Sequence, residues 1–474
     1  MKRYLTLFIG FFLLLIFEEI NAQENNYWSI HQGAKAALNG SAVLAKNENY
    51  SASYYNPGIL PFIKDNSVSL SVVTYFANTI NLENGAGENM PLKQTYLEAV
   101  PQNLFGIIQV SKDQKWVFSY AILNTLYSNI SLNTKTEKKG DYSLVNPGDE
   151  YYLGSYNYSN RMREDWYGFA AGYKVNSRFG IGLGLYGVIK NIRLNQTMNA
   201  NVIDYNRNNQ ISNTLASSYS NETLNYFSFG LLTKVGFNYN LEKLKFGFTI
   251  TTPLLNTNFF GQAWINRSLL YNGLDATNND VNQLSFQEKI NTINKKPWVF
   301  DFGATYTFSK TELSVRLAHY TAIDKYNLLN AADFDTSSVF DQIEAFGVPQ
   351  LANKSVTNIG LGVIQNITKK TDLYLGFNTD YNNFDATNFD RYKDFVPTIS
   401  NWDFYHYAAG LSHKLTFFEL SYGLSFMHSN TLNEQQLVNL SQPTEEYYLF
   451  GEPTYTMNSK VARFNLHVGF TYYF

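Results

Sequence analysis

Ala462-Arg463-Phe464-Asn465-Leu466-His467-Val468-Gly469-Phe470-Thr471-Tyr472-Tyr473-Phe474 closes the chain. Read in steps of two, Ala462, Phe464, Leu466, Val468, Phe470, Tyr472 and Phe474 are apolar. Arg463, Asn465, His467, Gly469, Thr471 and Tyr473 lie between them. Period-2 alternation puts successive side chains on opposite faces of a strand, one face suited to lipid and the other to a polar lumen. Thirteen residues of such alternation are long for a strand in a soluble sandwich.

Working back from that strand, the same pattern recurs. Strands are expected over 66–78, 97–111, 115–132, 164–175, 179–197, 223–239, 244–257, 297–308, 312–324, 355–367, 372–383, 402–414, 417–429 and 459–474, fourteen in all. Phe179, Ile181, Leu183, Leu185 and Ile189, for instance, oppose Gly180, Gly182, Gly184, Tyr186 and Lys190. The joins alternate in length. Lys112-Asp113-Gln114, Asn176-Ser177-Arg178, 240–243, Ser309-Lys310-Thr311, 367–371 and 414–416 are short. The joins 79–96, 133–163, 198–222, 258–296, 325–354, 384–401 and 430–458 are long. Segregation of short turns to one end and long loops to the other is the habit of barrels in a bacterial outer membrane. The expected fold is therefore all-β: a 14-stranded antiparallel transmembrane β-barrel over residues 66–474, exposed to outer-membrane lipids.

Composition agrees. Aromatic residues make up 16 % of the chain and charged residues 16 %, the latter below the ~25 % of ordinary soluble domains. No stretch after the N-terminus approaches 18 apolar residues, so helical spans are not expected. A net charge of −3 argues against a nucleic-acid partner. The absence of Cys removes disulfides, thiolate metal sites and thiol nucleophiles. At the N-terminus, Lys2 and Arg3 precede the apolar run Tyr4 to Phe17, and Ile20-Asn21-Ala22 offers a small residue for cleavage. Residues 1–22 therefore read as a cleaved export signal.

Residues 23–65 do not fit the strand pattern. Gly33-Ala34-Lys35-Ala36-Ala37-Leu38-Asn39-Gly40-Ser41-Ala42 is a small-residue tract. Tyr54-Tyr55-Asn56-Pro57-Gly58-Ile59-Leu60 is a turn element in which Pro57 biases Asn56 towards an extended backbone. A fourteen-stranded barrel is wider than the eight-stranded barrels that side chains fill, so its lumen has room for a plug. This segment is expected to be that hatch, with Gly33, Ala34, Gly40, Tyr54, Tyr55, Asn56, Pro57 and Gly58 as its signature.

At these residues the chain resembles the FadL/TodX-type outer-membrane transporters of long-chain fatty acids and hydrocarbons. That family opens with G-A-x-A-x-x-x-G-G-A and continues to Y-W-N-P-A-G-L. Here the double glycine is Asn39-Gly40 and the residue after proline is Gly58. The stretches 169–175 and 245–254 resemble the family's later hairpins. The resemblance implies a monomeric barrel with an internal hatch. It also implies passive uptake of a hydrophobic or amphipathic ligand, which leaves through a gap in the wall. Some barrels of the family instead act in protein secretion or surface attachment, which is the alternative role, and an open diffusion pore is a third. The terminal Phe474 strand resembles the signal read by the barrel-assembly machinery.

Other motifs point away from catalysis, and no enzyme activity is expected. Gly182-Leu183-Gly184-Leu185-Tyr186-Gly187 matches G-x-G-x-x-G but lies inside a strand, without the helix that a nucleotide site requires. The six histidines lack metal-ligand spacing, so no metal or cofactor is expected. By parity Lys190, Lys234, Lys245, Arg316, Arg463 and His467 face the lumen. They are candidates to pair with a ligand's acid group, or with the inward carboxylates Asp301, Asp372, Asp380 and Glu419. Tyr151, Tyr152, Leu269, Leu270 and Tyr271 are candidates for an outer capture surface.

Overall fold

The computed structural model describes residues 26–46, 50–110, 115–142, 150–205, 211–273, 280–332, 348–389 and 394–474. The export signal and the Lys112-Asp113-Gln114 turn lie outside the described residues. Short apolar strands and long polar continuations build the wall. In chain order they are β1 (Ser67–Glu83), β2 (Leu92–Gln109), β3 (Trp116–Gly140), β4 (Glu150–Lys174), β5 (Phe179–Tyr205) and β6 (Ile211–Asn240). Next come β7 (Leu244–Thr251), β8 (Leu255–Asn272), β9 (Val281–Ile290), β10 (Val299–Phe308) and β11 (Thr311–Tyr320). A separate pair, β12 (Ile323–Asn327) and β13 (Gln350–Asn353), precedes β14 (Val356–Thr368), β15 (Thr371–Asp380), β16 (Phe404–Lys414), β17 (Phe418–Glu434) and β18 (Met457–Tyr473).

Neighbours in sequence pair antiparallel, β1 pairs with β18, and β5 pairs with β6, so the sheet closes. The result is an all-β, 14-stranded closed barrel, as the alternation predicted. β8 prolongs β7 and β9 prolongs β10 beyond the rim. In the closing strand the parity holds from Phe464 onwards. Phe464, Leu466, Phe470, Tyr472 and Phe474 are exposed on the outside, and Arg463, His467, Thr471 and Tyr473 are buried inside.

The long joins are corrected. Much of 133–163, 198–222 and 258–296 is not loop but continuing ladder: β3 runs to Gly140, β4 starts at Glu150, β5 runs to Tyr205 and β6 starts at Ile211. The physical reason is that a strand leaving the apolar belt loses its apolar outer face while its backbone partners remain. Lys135-Thr136-Glu137-Lys138 carries no hydrophobic period, yet it is paired residue for residue with 152–155. Beyond the rim these strands and the loops between them enclose a second core that includes Tyr152, Tyr156, Tyr158, Tyr226, Leu269, Trp402 and Leu449.

The segment before β1 lies inside the barrel. Its short helices are α1 (Ala34–Leu38) and α2 (Ala52–Tyr55), and a 3-10 turn follows over Pro57–Phe62. Small residues are required because the backbone touches the wall. Gly40 has φ 57°, and a Cβ there would sit 2.4 Å from the Phe377 carbonyl oxygen. Asn56 is extended (φ −154°), as a residue before proline should be. Its side chain accepts from Gly58 N (2.9 Å) and donates to the carbonyls of Leu44 (2.9 Å) and Phe237 (2.9 Å). A Cβ on Gly182 would lie 2.3 Å from Pro57, so the glycine row of β5 is the seat of the hatch.

Candidate functional site

The hatch fills the end of the lumen near the short turns and leaves a cavity above it. Two ion pairs tie its underside to the wall. Lys35 pairs with Glu419, which also accepts from Tyr50, Ser412 and Tyr473. Lys46 pairs with Glu312 at 3.0 Å. Burial lowers the Lys35 pKa, but Tyr374, Glu419 and Tyr473 outweigh it, so the ammonium stays charged. His31 is the opposite case. Burial, then His406, His467 and Arg316, hold its imidazole well below the usual range, so it sits neutral against the Ser41 hydroxyl (2.7 Å).

The cavity and its mouth together enclose about 970 Å³ of empty space, open solvent included. Asn26, Tyr27 and Tyr54 of the N-terminal segment form its floor, and Glu164, Trp166, Lys190, Lys234, Asp301 and Arg316 line its wall. Arg316 is fully engaged. Its Nε and Nη2 donate to the Asp301 carboxylate at 2.9 and 2.5 Å, and its guanidinium lies 4.3 Å from the Trp28 ring and 4.9 Å from that of Tyr55. It clamps the hatch rather than waiting for a ligand. Glu164 accepts from Lys296 (2.8 Å) and Trp166 (2.7 Å). Lys234 donates to the Tyr54 carbonyl (2.5 Å), and Lys190 makes no ion pair among the described residues.

Of the six lumen cations expected from parity, Lys190, Lys234 and Arg316 line this cavity. Lys245 does not. It is half-buried beside Glu312 near the short-turn end. Arg463 is buried beside Tyr96 and Glu98, and His467 bonds Ser425 at 2.7 Å, both against the flank of the hatch. Among the proposed carboxylate partners, Asp301 and Glu419 take cations, Asp380 accepts from Trp28 N (2.9 Å) and lies 3.9 Å from the His406 imidazole, and Asp372 accepts from Asn366 (2.6 Å). Of the capture candidates, Tyr152, Leu269 and Tyr271 are buried in the second core, Tyr151 is half-buried and Leu270 is exposed. Tyr152 donates to the Leu449 carbonyl (2.8 Å) and Tyr271 to Glu445 (3.1 Å). They hold the cap together from within.

The wall beside the hatch and cavity is interrupted in two places. β2 and β3 pair only from Asn103–Leu123 to Gln109–Val117. Above that, side chains replace the ladder: Gln94 to Ser131 N (2.8 Å), Tyr127 to Glu98, and Gln32 of the hatch to the Asn124 carbonyl (2.7 Å). β7 and β10 pair up to Thr251–Val299, and β8 and β9 resume at Ala263–Ile290. Between them the Asn256 amide donates to the Thr292 carbonyl (2.9 Å) and accepts from Asn294 N (3.1 Å). Sequence reasoning missed this second break and the Lys295 and Lys296 it carries to the cavity. Pro253 and Pro297, which cannot donate to a ladder, were the signal.

No family model matches the chain, and no curated protein matches it in sequence. Solved structures do match in shape. A FadL homologue of Pseudomonas aeruginosa aligns with a TM-score of 0.56 at 11 % identity, covering 94 % of this chain and 99 % of that one. The Pseudomonas putida toluene transporter TodX aligns at 0.54 and 12 %, covering 96 % and 100 %. The Ralstonia pickettii toluene transporter TbuX aligns at 0.53 and 11 %, covering 94 % and 98 %. The fold is that of the FadL and TodX barrels. The likeness spans nearly the whole length of those barrels at 11–12 % identity.

Proposed function

We propose that the chain is an outer-membrane barrel for passive uptake of hydrophobic or amphipathic small molecules, of the long-chain fatty acid or hydrocarbon type. The observation that carries this reading is the lumen cavity, open in part to solvent, between a seated hatch and an enclosed cap. The outward aromatic and aliphatic belt, including Leu183, Phe302 and Phe470, suits lipid. The solved relatives in shape include toluene transporters, which supports a small hydrophobic cargo.

In this reading residues 23–65 are the plug and the ligand collects above it. An acid group on the ligand meets Lys190 or Lys234, the two of the original six that line the cavity without an ion pair. The ligand leaves when the hatch shifts or the wall parts at one of its two interruptions, where side chains rather than a ladder hold the strands. Export by the N-terminal signal, assembly through the Phe474 strand and a monomeric state complete the proposal. Reconstituted into liposomes, the barrel is expected to speed entry of labelled oleate or toluene over protein-free vesicles. Entry no faster than into protein-free vesicles for both compounds would remove the transport reading.

A further inference from the structure

The cavity's own chemistry narrows its ligand. Five cations line it, Lys190, Lys234, Lys295, Lys296 and Arg316, against two carboxylates, Glu164 and Asp301, a nominal surplus of three positive charges. Each carboxylate is already matched, Glu164 by Lys296 and Asp301 by Arg316. The surplus sits on Lys190, Lys234 and Lys295. Lys295 is exposed to solvent, but Lys190 and Lys234 are buried, and the carboxylates nearest them, Glu164 and Asp301, are each held by another cation, so an entering anion supplies the partner they lack.

The rest of the lining mixes five aromatic rings with amides, hydroxyls and a few aliphatic side chains. Leu126, Leu232, Pro297, Val299 and Leu351 are the aliphatic side chains among the described lining residues. A long alkyl chain gains ~0.8 kcal/mol for each CH₂ placed against an apolar wall. Here it would also strip water from the asparagines, threonines and lysines of the lining without replacing its hydrogen bonds. Flat rings are better served. Tyr54 and Trp166 lie 5.7 Å apart, and Tyr27 stacks on Tyr320 at 4.0 Å. The lysines already favour ring faces: Lys234 is 4.4 Å from the Tyr54 centroid, Lys295 4.9 Å from Tyr326 and Lys296 5.5 Å from Trp166.

We propose that the cavity binds an aromatic organic anion, its ring against Tyr54 and Trp166 and its acid group towards Lys190 and Lys234, in preference to a neutral hydrocarbon or a long alkyl chain. This rests on the uptake reading above and names the ligand class within it. Ring and charge are both selected, because ring faces and unmatched cations meet at the same wall of β4, β5 and β6 over the hatch.

The test is isothermal titration of the full-length mature barrel in detergent with three probes: 2-naphthoate, the uncharged 2-naphthylmethanol and the ring-free decanoate. The expected result is 2-naphthoate binding at least tenfold more tightly than either control. K190M and the double variant K190M/K234M should weaken 2-naphthoate by tenfold or more and leave 2-naphthylmethanol unchanged. Because Lys234 also holds the hatch backbone, protection of residues 26–63 from protease is measured in parallel, and K190M alone reports the charge effect with the hatch tie intact. Naphthylmethanol or decanoate binding as tightly as 2-naphthoate, or K190M/K234M binding 2-naphthoate as wild type does, would overturn the inference and leave the uptake reading standing. Binding of none of the three overturns the inference, and the uptake reading is then decided by the oleate and toluene liposome assay.

Discussion

Asn56 shows how much a single side chain carries here. Its amide closes the turn at Gly58 and pins both Leu44 of the hatch and Phe237 of the wall. Asn56→Ala should cost about 2–4 kcal/mol of hatch seating, since three bonds are lost and buried carbonyls are left bare. Hydrogen exchange over residues 26–63 should rise while the barrel strands stay protected. His31 gives a pH dependence with a definite sign. Its imidazole is neutral when seated and titrates near ~6.5 when released, so the seated state binds fewer protons. Seating stability is fully present above that pH and declines as pH falls below it. The groups facing His31 (Ser41, His406, His467 and Arg316) supply no carboxylate to reverse this. Hatch exchange should therefore speed up between pH 7.5 and pH 5, and His31→Gln should flatten that slope. The Asn-Pro turn and the small-residue tract were legible as a hatch because their backbone demands are local. His31, Trp28 and Arg316 were not legible as one cluster, because Trp28 and Arg316 stand 288 positions apart and only the closed barrel joins them.

Strands behave differently inside and outside the apolar belt. Within it, alternation named every wall strand, because lipid and lumen impose opposite polarity on successive residues. Beyond it the ladder continues through sequences with no hydrophobic period, and β3 to β6 were read as too short for that reason. The two interruptions were hidden as well, since missing pairing leaves no trace in a single strand's pattern. They make a separable prediction about exit. The chain has no cysteine, so paired cysteines can be introduced cleanly. Asn256→Cys with Asn294→Cys, bridged by a short bis-methanethiosulfonate, fixes the β8–β9 break; Glu98→Cys with Tyr127→Cys fixes the β2–β3 break. If the ligand leaves through the wall, one bridge should cut uptake at least fivefold and its reduction should restore it. Full uptake with both bridges closed would place the exit elsewhere.

The whole molecule is a closed barrel whose bore is interrupted by its own N-terminal segment, and that predicts its electrical behaviour. In planar bilayers it should show no steady open-pore conductance. Gly182→Val places methyl groups where Pro57 lies and should unseat the hatch, raising conductance while the barrel still assembles. Large steady conductance from the unaltered protein would point to an open diffusion pore. The choice of cargo was least legible of all: parity offered six cations of equal standing, and the folded lumen separated Lys190 and Lys234, which line the cavity without an ion pair, from Arg316, paired with Asp301, and Lys245, near the short-turn end. The most direct test of the account is uptake by cells with and without this chain, followed with labelled oleate, toluene and 2-naphthoate. The account predicts a marked fall in initial uptake rate for at least one of the three on deletion, restored by the intact gene. Identical rates for all three would contradict it.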